Sequence, residues 1–144
     1  MRISDVLRVK GSNVITVPPD TSVRDLLAVL AEHRIGAVVV SRDGATVDGI
    51  ASERDVVRAL AAHGEAVLAG PVEAIQTTDV YSLGTDARLD DVMRLMTDRR
   101  IRHLPVVHES RLVGIVTIGD VVKSRIDELE SDQEAMTHYI AGDR

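Results

Sequence analysis

Two short segments of the chain carry a hydroxyl residue and a carboxylate at the same spacing, Ser52 with Asp55 and Thr117 with Asp120. A carboxylate can accept hydrogen bonds from both hydroxyls of a ribose, and a nearby hydroxyl group can hold a phosphate or sugar oxygen. The same spacing is also typical of a helix N-terminus, where the hydroxyl accepts from a free amide and the acid lies at the positive end of the helix dipole. The two interpretations are compatible, so the pattern predicts two helix caps and makes both turns candidate nucleoside-binding sites.

The two turns differ at the residue before the acid, which is Arg54 in the first turn and Gly119 in the second. A guanidinium group at a helix N-terminus, where free amides already favour anions, suits a phosphate. We therefore expect two binding sites built on these turns to be unequal.

Both turns belong to an internal repeat. The segment that starts at Val14 aligns with the segment that starts at Val80, and removal of one residue near Thr46 extends the alignment from 47–58 onto 112–123. The identical pairs include Asp20 with Asp86, Asp25 with Asp91, Ile35 with Ile101, Gly49 with Gly114, Ile50 with Ile115 and Asp55 with Asp120. A repeat of about fifty residues predicts two half-domains of the same fold.

Each copy has the pattern strand, helix, strand, strand, helix. In the first copy, 14–17 predicts a short strand that two prolines end, 35–40 and 47–51 predict two paired strands, and 55–62 predicts the second helix. The first helix is predicted in both copies from apolar residues at helical spacing: Val23, Leu26, Leu27 and Leu30, and Leu89, Val92, Met93 and Met96. Ser22 is the expected N-cap of that helix in the first copy.

These elements predict an α/β fold in which two β-α-β-β-α repeats pack with pseudo-two-fold symmetry as a single module, 1–144. The first repeat is expected over about 10–62, a linker over 63–79 and the second repeat over about 80–125. A C-terminal helix is expected over about 121–141. Its apolar residues lie roughly on one side and need another surface to cover them: Ile126, Leu129, Met136 and Ile140.

The composition excludes several classes of function. The net charge of −6 argues against tight binding to a nucleic acid, and the absence of cysteine removes thiolate metal sites and cysteine nucleophiles. The five histidines lack metal-ligand spacing, so no metal site is expected. The apolar runs are too short to span a bilayer and the N-terminus has no signal-peptide pattern, so we expect no membrane association and a cytoplasmic location.

The doubled unit and the matched turns GIASERDVV and GIVTIGDVV, each preceded by a similar segment, HRIGAVVV or RRIRHLPVV, resemble a tandem pair of CBS domains, also called a Bateman module. The resemblance covers nearly the whole chain. It implies a regulatory sensor that binds AMP, ADP, ATP, NAD(H) or S-adenosylmethionine in clefts between the repeats and needs no further cofactor. It also implies a homodimer formed through helices.

The resemblance implies that Asp55 and Asp120 hold ribose hydroxyls, with Ser52 and Thr117 beside them, and that 35–37 and 101–103 wall the adenine. Lys10 and either Arg102 or His103 are expected phosphate contacts, and Tyr81 is either a base contact or part of the core. The basic cluster around Arg99 and Arg100 is either a solvated face or part of the site. The expected ligand-binding residues are Lys10, Thr16, Ile35, Gly36, Ala37, Ser52, Arg54, Asp55, Tyr81, Ser82, Ile101, Arg102, His103, Thr117, Gly119 and Asp120.

The sequence is compatible with three functional hypotheses. In the first, ligand binding shifts the populations of two arrangements and acts through a change in the dimer or through an effector protein that is unknown. In the second, the acids only cap helices and the chain is a ligand-free interaction and dimerisation module. The third is an enzyme, which we do not expect, because the chain lacks the barrel of larger enzymes, such as inosine monophosphate dehydrogenases, that carry such a pair as a regulatory insert.

Overall fold

The computed structural model of the chain describes residues 1–11 and 13–142. Its helices are α1 (Ile3–Lys10), α2 (Val23–His33), α3 (Glu53–His63), α4 (Leu89–Arg99) and α5 (Ile118–Ile140). Its strands are β1 (Thr16–Val17), β2 (Ala37–Val40), β3 (Gly49–Ser52), β4 (His103–His108) and β5 (Arg111–Thr117). Two short 3-10 helices, Glu65–Ala69 and Val72–Ala74, lie between α3 and α4. The predicted mixed α/β fold with two repeats and a C-terminal helix is confirmed.

The first repeat contains a three-stranded sheet in the order β1-β2-β3, with β1 parallel and β3 antiparallel to β2. The predicted stripe of α2 packs on this sheet, because Val23, Leu26 and Leu30 are buried in one cluster with Val38 and Val40. The helix begins as the sequence predicts, since the Ser22 hydroxyl accepts a hydrogen bond of 3.0 Å from the Asp25 amide. The turn between β3 and α3 is therefore attached to a sheet that packs against α2.

In the second repeat, β4 and β5 form an antiparallel pair, but the first strand predicted near Val80 is wrong. Within the segment predicted as this strand, which the structure describes in full, only Leu83 pairs with β4, in a single parallel bridge to Val106. In the first repeat Thr16 extends the ladder by pairing with Val39, and the position equivalent to Val39 is Pro105. Proline has no amide hydrogen, so the ladder cannot extend from Leu83 towards Ser82.

Each repeat is completed by the segment that precedes the other repeat. Helix α1 lies in the core of the second repeat, where Ile3 donates its amide to the Ala87 carbonyl at 2.9 Å. The linker residue Val72 lies in the core of the first repeat and donates its amide to the Thr21 carbonyl at 2.7 Å. A crossed connection of this kind ties the two repeats into one module, and it brings the end of α1 to the second turn.

The last helix is continuous with the second helix of the second repeat. The sequence predicted it over about 121–141, whereas α5 begins at Ile118 because Thr117 caps it. Beyond Val121 its apolar side chains are from 44% to 75% exposed at Val122, Ile126, Leu129, Met136 and Ile140. Among the described residues, no helix combines the length and the apolar character that crossing a bilayer would require.

Candidate functional site

A cleft of about 980 Å³ lies between the two repeats. The β3–α3 turn, the end of the linker, the segment from α4 into β4, and the start of α5 form its walls. Nine of the expected ligand-binding residues line it: Gly36, Ser52, Arg54, Asp55, Tyr81, Ile101, Arg102, His103 and Thr117. The structure thus brings together residues from both repeats and from the segment that connects them.

Seven of the expected residues do not line this cleft: Lys10, Thr16, Ile35, Ala37, Ser82, Gly119 and Asp120. Ile35 and Ala37 are turned away because Ala37 is buried and Ile35 packs against the core of the first repeat. Lys10 and Asp120 bind each other instead. Of the two capping-box acids, Asp55 lines this cleft and Asp120 does not.

The turn that holds Asp55 is a complete capping box at the start of α3. The Ser52 hydroxyl accepts from the Asp55 amide at 3.2 Å, and Asp55 Oδ2 accepts from the Ser52 amide and the Ser52 hydroxyl, each at 2.9 Å. Asp55 Oδ1 has a longer contact of 3.3 Å from the Thr77 hydroxyl. The cap interpretation is confirmed, and it leaves one carboxylate oxygen weakly bonded on the cleft side of the turn.

The turn that holds Asp120 has the same box at the start of α5, with the Thr117 hydroxyl accepting from the Asp120 amide at 3.1 Å. Here Lys10 adds a second interaction. Its Nζ donates to Asp120 Oδ2 at 2.6 Å and to the Ile115 carbonyl at 2.7 Å. Burial alone would raise the pKa of Asp120, but the hydrogen bonds from Lys10 and Thr117, together with the Lys10 charge, hold that pKa below its ordinary value.

The walls of the cleft are rich in positive charge. Five arginines line it, against the carboxylates of Glu53, Asp55 and Asp79: Arg54, Arg58, Arg99, Arg100 and Arg102. The Arg99 guanidinium lies 5.3 Å from the centre of the Tyr81 ring, a cation-π contact. In a chain with a net charge of −6, this concentration of cationic groups favours an anionic ligand.

Arg58 is not among the residues predicted from the sequence, and that prediction does not decide whether Arg99 and Arg100 belong to the site or to a solvated face. Arg58 follows Arg54 by four residues in α3, a spacing that places two side chains on one face of a helix, so the sequence held a signal for it. Arg100 ends α4 in the left-handed conformation, with φ at 54°, and this turn carries the chain directly into the cleft wall. No sequence pattern predicts that the linker residues Thr77 and Asp79 line the cleft, because their position depends on the crossed connection between the repeats.

His103 lies beside Gly36 of the first repeat. A Cβ added to Gly36 would lie 3.5 Å from His103 Nε2, so the glycine leaves room for the imidazole ring. Burial lowers the pKa of His103, as do the positive charges of Lys10 and Arg102, and the negative charges of Glu53 and Asp120 oppose this shift only in part. The imidazole is therefore neutral at neutral pH.

Comparison with known proteins identifies the module. The family model described as "CBS domain" matches twice, over 3–62 and 72–127. The chain belongs to the CBS-domain family. Each matched range includes one of the segments that cross to the other repeat, and the two together make a CBS domain pair, a regulatory module.

Solved structures and curated relatives agree with this assignment. The CBS-domain containing protein ATU1752 from Agrobacterium tumefaciens is 42% identical with a TM-score of 0.84, and the match covers 87% of this chain and 99% of that one. The mitochondrial CBS domain-containing protein CBSX3 of Arabidopsis thaliana is 32% identical over 97% of this chain and 72% of its own length. The CBS domain pair of protein MJ0100, solved in complex with 5-methylthioadenosine and S-adenosyl-L-methionine, is 26% identical with a TM-score of 0.78 over 89% of this chain and 98% of that one.

Proposed function

We propose that this CBS domain pair is a sensor that binds a phosphate-bearing adenine nucleotide in the cleft beside Asp55. One observation carries the proposal: a single cleft holds a ribose-type carboxylate together with five arginine side chains. The carboxylate accepts from the ribose hydroxyls and the guanidinium groups bind the phosphates, which are the interactions that each group forms best.

The charge of the cleft favours nucleotides with phosphates over S-adenosylmethionine. The ligands named for MJ0100, 5-methylthioadenosine and S-adenosyl-L-methionine, share the adenosine part but carry no phosphate. S-adenosylmethionine also has a cationic sulfonium group, which the arginine-lined walls would repel. The family resemblance to an adenosine-binding module and the local surplus of cations therefore support AMP, ADP, ATP or NAD(H) as the ligand.

Three parts of the cleft contact the ribose, the adenine and the phosphates of the nucleotide. Among the described residues, the only hydrogen bond that Asp55 Oδ1 accepts is the 3.3 Å contact from the Thr77 hydroxyl, so this oxygen can accept a hydrogen bond from a ribose hydroxyl. Ile101 and Tyr81 offer an apolar surface and a ring to the adenine, and the ring is 38% exposed. Arg99 and Arg100, at the end of α4, supply cations for the phosphates.

The output of the sensor acts through a second copy of the chain or through an effector protein. The exposed apolar stripe of α5 supports a homodimer, because burying several large apolar side chains is favourable by about 1.5–3 kcal/mol each. Sedimentation velocity should report a dimer that Leu129→Glu converts to a monomer. A wild-type chain that sediments as a monomer would remove this part of the proposal.

Isothermal titration calorimetry with ATP, ADP, AMP, NAD(H) and S-adenosylmethionine tests the proposed ligand class. We expect heat and a thermal shift with the phosphate-bearing ligands, because a ligand at about 100 times its dissociation constant stabilises the native state by about 2.7 kcal/mol. S-adenosylmethionine should bind more weakly than ATP. No heat and no thermal shift with any of these ligands at millimolar concentration would refute the sensor function and leave the ligand-free interaction module.

A coupled assay for nucleotide hydrolysis tests the proposal that the module is not an enzyme. We expect ATP to be recovered unchanged after prolonged incubation. Turnover that disappears with Asp55→Asn would contradict the proposal.

A further inference from the structure

The second half of α5 is exposed on every side. Every residue from 129 to 140 is exposed, whereas Val121 near the start of the helix is buried. An isolated helix of about 12 residues is only marginally stable in water, and large apolar side chains on it favour contact with another surface. This half of α5 is therefore a candidate interaction surface.

Six residues of α5 follow one another at alternating intervals of four and three positions. They are Val122, Ile126, Leu129, Gln133, Met136 and Ile140. This spacing is the heptad pattern of a coiled coil, in which positions a and d recur every 3.5 residues on average and face the partner helix. With Ile126 at position a, the only polar residue among the six is Gln133, which is also at position a.

Gln133 restricts how two copies of α5 can pair. In a parallel, in-register pair the two Gln133 side chains face each other, so that each amide can bond to the other. In the antiparallel pair that keeps all six positions matched, Gln133 faces Leu129 of the second copy, and its buried amide is left without a partner. A single polar residue at an a position specifies the register and the number of helices in a coiled coil.

The charges beside the six residues favour the same arrangement. A parallel pair brings Arg125 of one copy, at position g, next to Glu130 of the second copy, at position e. Within its own chain Arg125 pairs with Asp90 and Glu128, but its side chain is 34% exposed and a guanidinium group has five donors. The antiparallel pair instead brings Glu130 against Glu130 and Asp132 against Asp132, and these like charges repel each other.

We propose that α5 pairs with α5 of a second copy as a parallel, in-register coiled coil of two helices, with Gln133 opposite Gln133. This inference rests on the homodimer of the proposed function, and it assigns the orientation and the contact residues of that dimer. The same helix begins at Ile118 in the wall of the cleft, so one continuous element carries both the ligand site and the dimer contact.

Disulfide crosslinking tests the orientation, because the chain contains no cysteine of its own. Facing Cα atoms lie about 5 Å apart when the helix axes are about 10 Å apart and each Cα is about 2.3 Å from its axis, a distance that suits a disulfide. Met136→Cys, which keeps Gln133, should therefore form a covalent dimer under mild oxidation. Ser131→Cys is the matched control, since position 131 lies on the opposite side of the helix, and it should stay a single chain.

A mixture of Met136→Cys and Ile126→Cys chains distinguishes the two orientations by mass spectrometry of the crosslinked peptides. The parallel pair gives disulfides within each variant. Disulfides only between the two variants, or equal crosslinking of Ser131→Cys, would overturn the inference alone. A chain that sediments as a monomer and forms no disulfide in any variant would overturn the homodimer together with the inference, while calorimetry with ATP tests the ligand separately.

Glu130→Gln tests the proposed contact with Arg125. Sedimentation equilibrium should show a dimer about 2-fold to 25-fold weaker, because an exposed ion pair is worth a factor of about 1.5–5 and the symmetric dimer contains two such pairs. Glu134→Gln makes the same change of charge at an outer position of the helix and should not weaken the dimer. Equal dissociation constants for the two variants would contradict the proposed contact.

Discussion

The two turns of this CBS domain pair have one sequence pattern and one local geometry, but different surroundings. Ser52 with Asp55 and Thr117 with Asp120 form the same capping box. The Asp55 carboxylate lines an arginine-rich cleft, whereas the Asp120 carboxylate is bonded to Lys10. A repeat therefore fixes the local geometry of a functional group, while the segments that cross between repeats give each copy of the group different contacts.

The largest expected difference between the turns concerns ligand affinity. Asp55→Asn should weaken ATP binding by about 10-fold to 150-fold, since hydrogen bonds to a charged group contribute about 1.5–3 kcal/mol. Asp120→Asn should instead be the more destabilising variant, because it leaves the partly buried Lys10 ammonium without its carboxylate. Calorimetry and thermal denaturation of both variants measure the two effects, and wild-type ATP affinity in Asp55→Asn would contradict the assignment of the first turn.

The second difference lies where each crossing segment meets β3 or β5. Leu7 packs against Gly114 in the second repeat, and Gln76 packs against Gly49 in the first. Gln76 Oε1 is buried without a hydrogen-bond partner, which costs about 1–3 kcal/mol. Gln76→Leu, which copies the apolar contact of the other half, should raise the free energy of unfolding by about 1–2 kcal/mol.

Chemical denaturation of Gln76→Leu measures that gain. Leu7→Gln is the reciprocal control and should lower the free energy of unfolding, because it places an amide in the core of the second repeat. A destabilised Gln76→Leu would show that the amide has a role that the structure does not explain.

The C-terminal ends of α2 and α4 have the same backbone conformation but different positions relative to the cleft. Arg34 and Arg100 both end their helices with positive φ, 53° and 54°, a conformation that costs a non-glycine residue about 1–2 kcal/mol. Because glycine also loses more chain entropy on folding, Arg34→Gly and Arg100→Gly should each stabilise the protein by about 0.5–1 kcal/mol. Only Arg100 lines the cleft, so only Arg100→Gly should weaken ATP binding.

Thermal denaturation of the two glycine variants measures the effect of backbone strain on stability, and calorimetry measures the effect of the Arg100 charge on ATP affinity. Equal stabilisation with a loss of affinity in Arg100→Gly alone is the expected result. An equal loss of affinity in both variants would mean that the effect is not local to the cleft.

The smallest expected effect is a dependence of binding on pH. The pKa of His103 is lowered, above all by burial, and a bound phosphate nearby would raise it again, so binding takes up part of a proton. ATP binding should therefore tighten as the pH falls from 7 through the ordinary histidine pKa of about 6.5, by less than tenfold per pH unit. His103→Ala, which places in β4 the residue found at Ala37, should remove the histidine part of this slope.

Calorimetry in buffers with different ionisation enthalpies measures the proton uptake directly. The same uptake in the wild type and in His103→Ala would assign it to another group, and the terminal phosphate of the ligand is the first candidate.

The sequence predicts the parts of this fold that depend on local pattern. The helical stripe at Val23, Leu26 and Leu30 and the caps at Ser22 and Ser52 follow from residue type and spacing, and the structure contains them. The absence of a regular strand before Leu83 could also be predicted from the sequence, because a proline inside a strand limits pairing and Pro105 lies in the neighbouring strand.

The parts that escaped prediction depend on contacts between distant segments. Lys10 and Asp120 are separated by 110 positions, and no local pattern pairs them. The same is true of Val72, which completes the core of the repeat before it rather than the repeat after it. The sequence therefore predicts two unequal candidate turns, from Arg54 and Gly119, but it does not predict the contact that the segment before the first repeat makes with Asp120.

The proposed ligand is an adenine nucleotide that binds beside Asp55, with its phosphates among the arginines of the cleft. A crystal structure of the wild-type protein grown with saturating ATP would show this arrangement directly. We expect density for a nucleotide in the cleft, with the ribose hydroxyls within hydrogen-bond distance of Asp55 and the phosphates among the arginine side chains. An empty cleft, or a nucleotide held by Asp120 in its place, would contradict it.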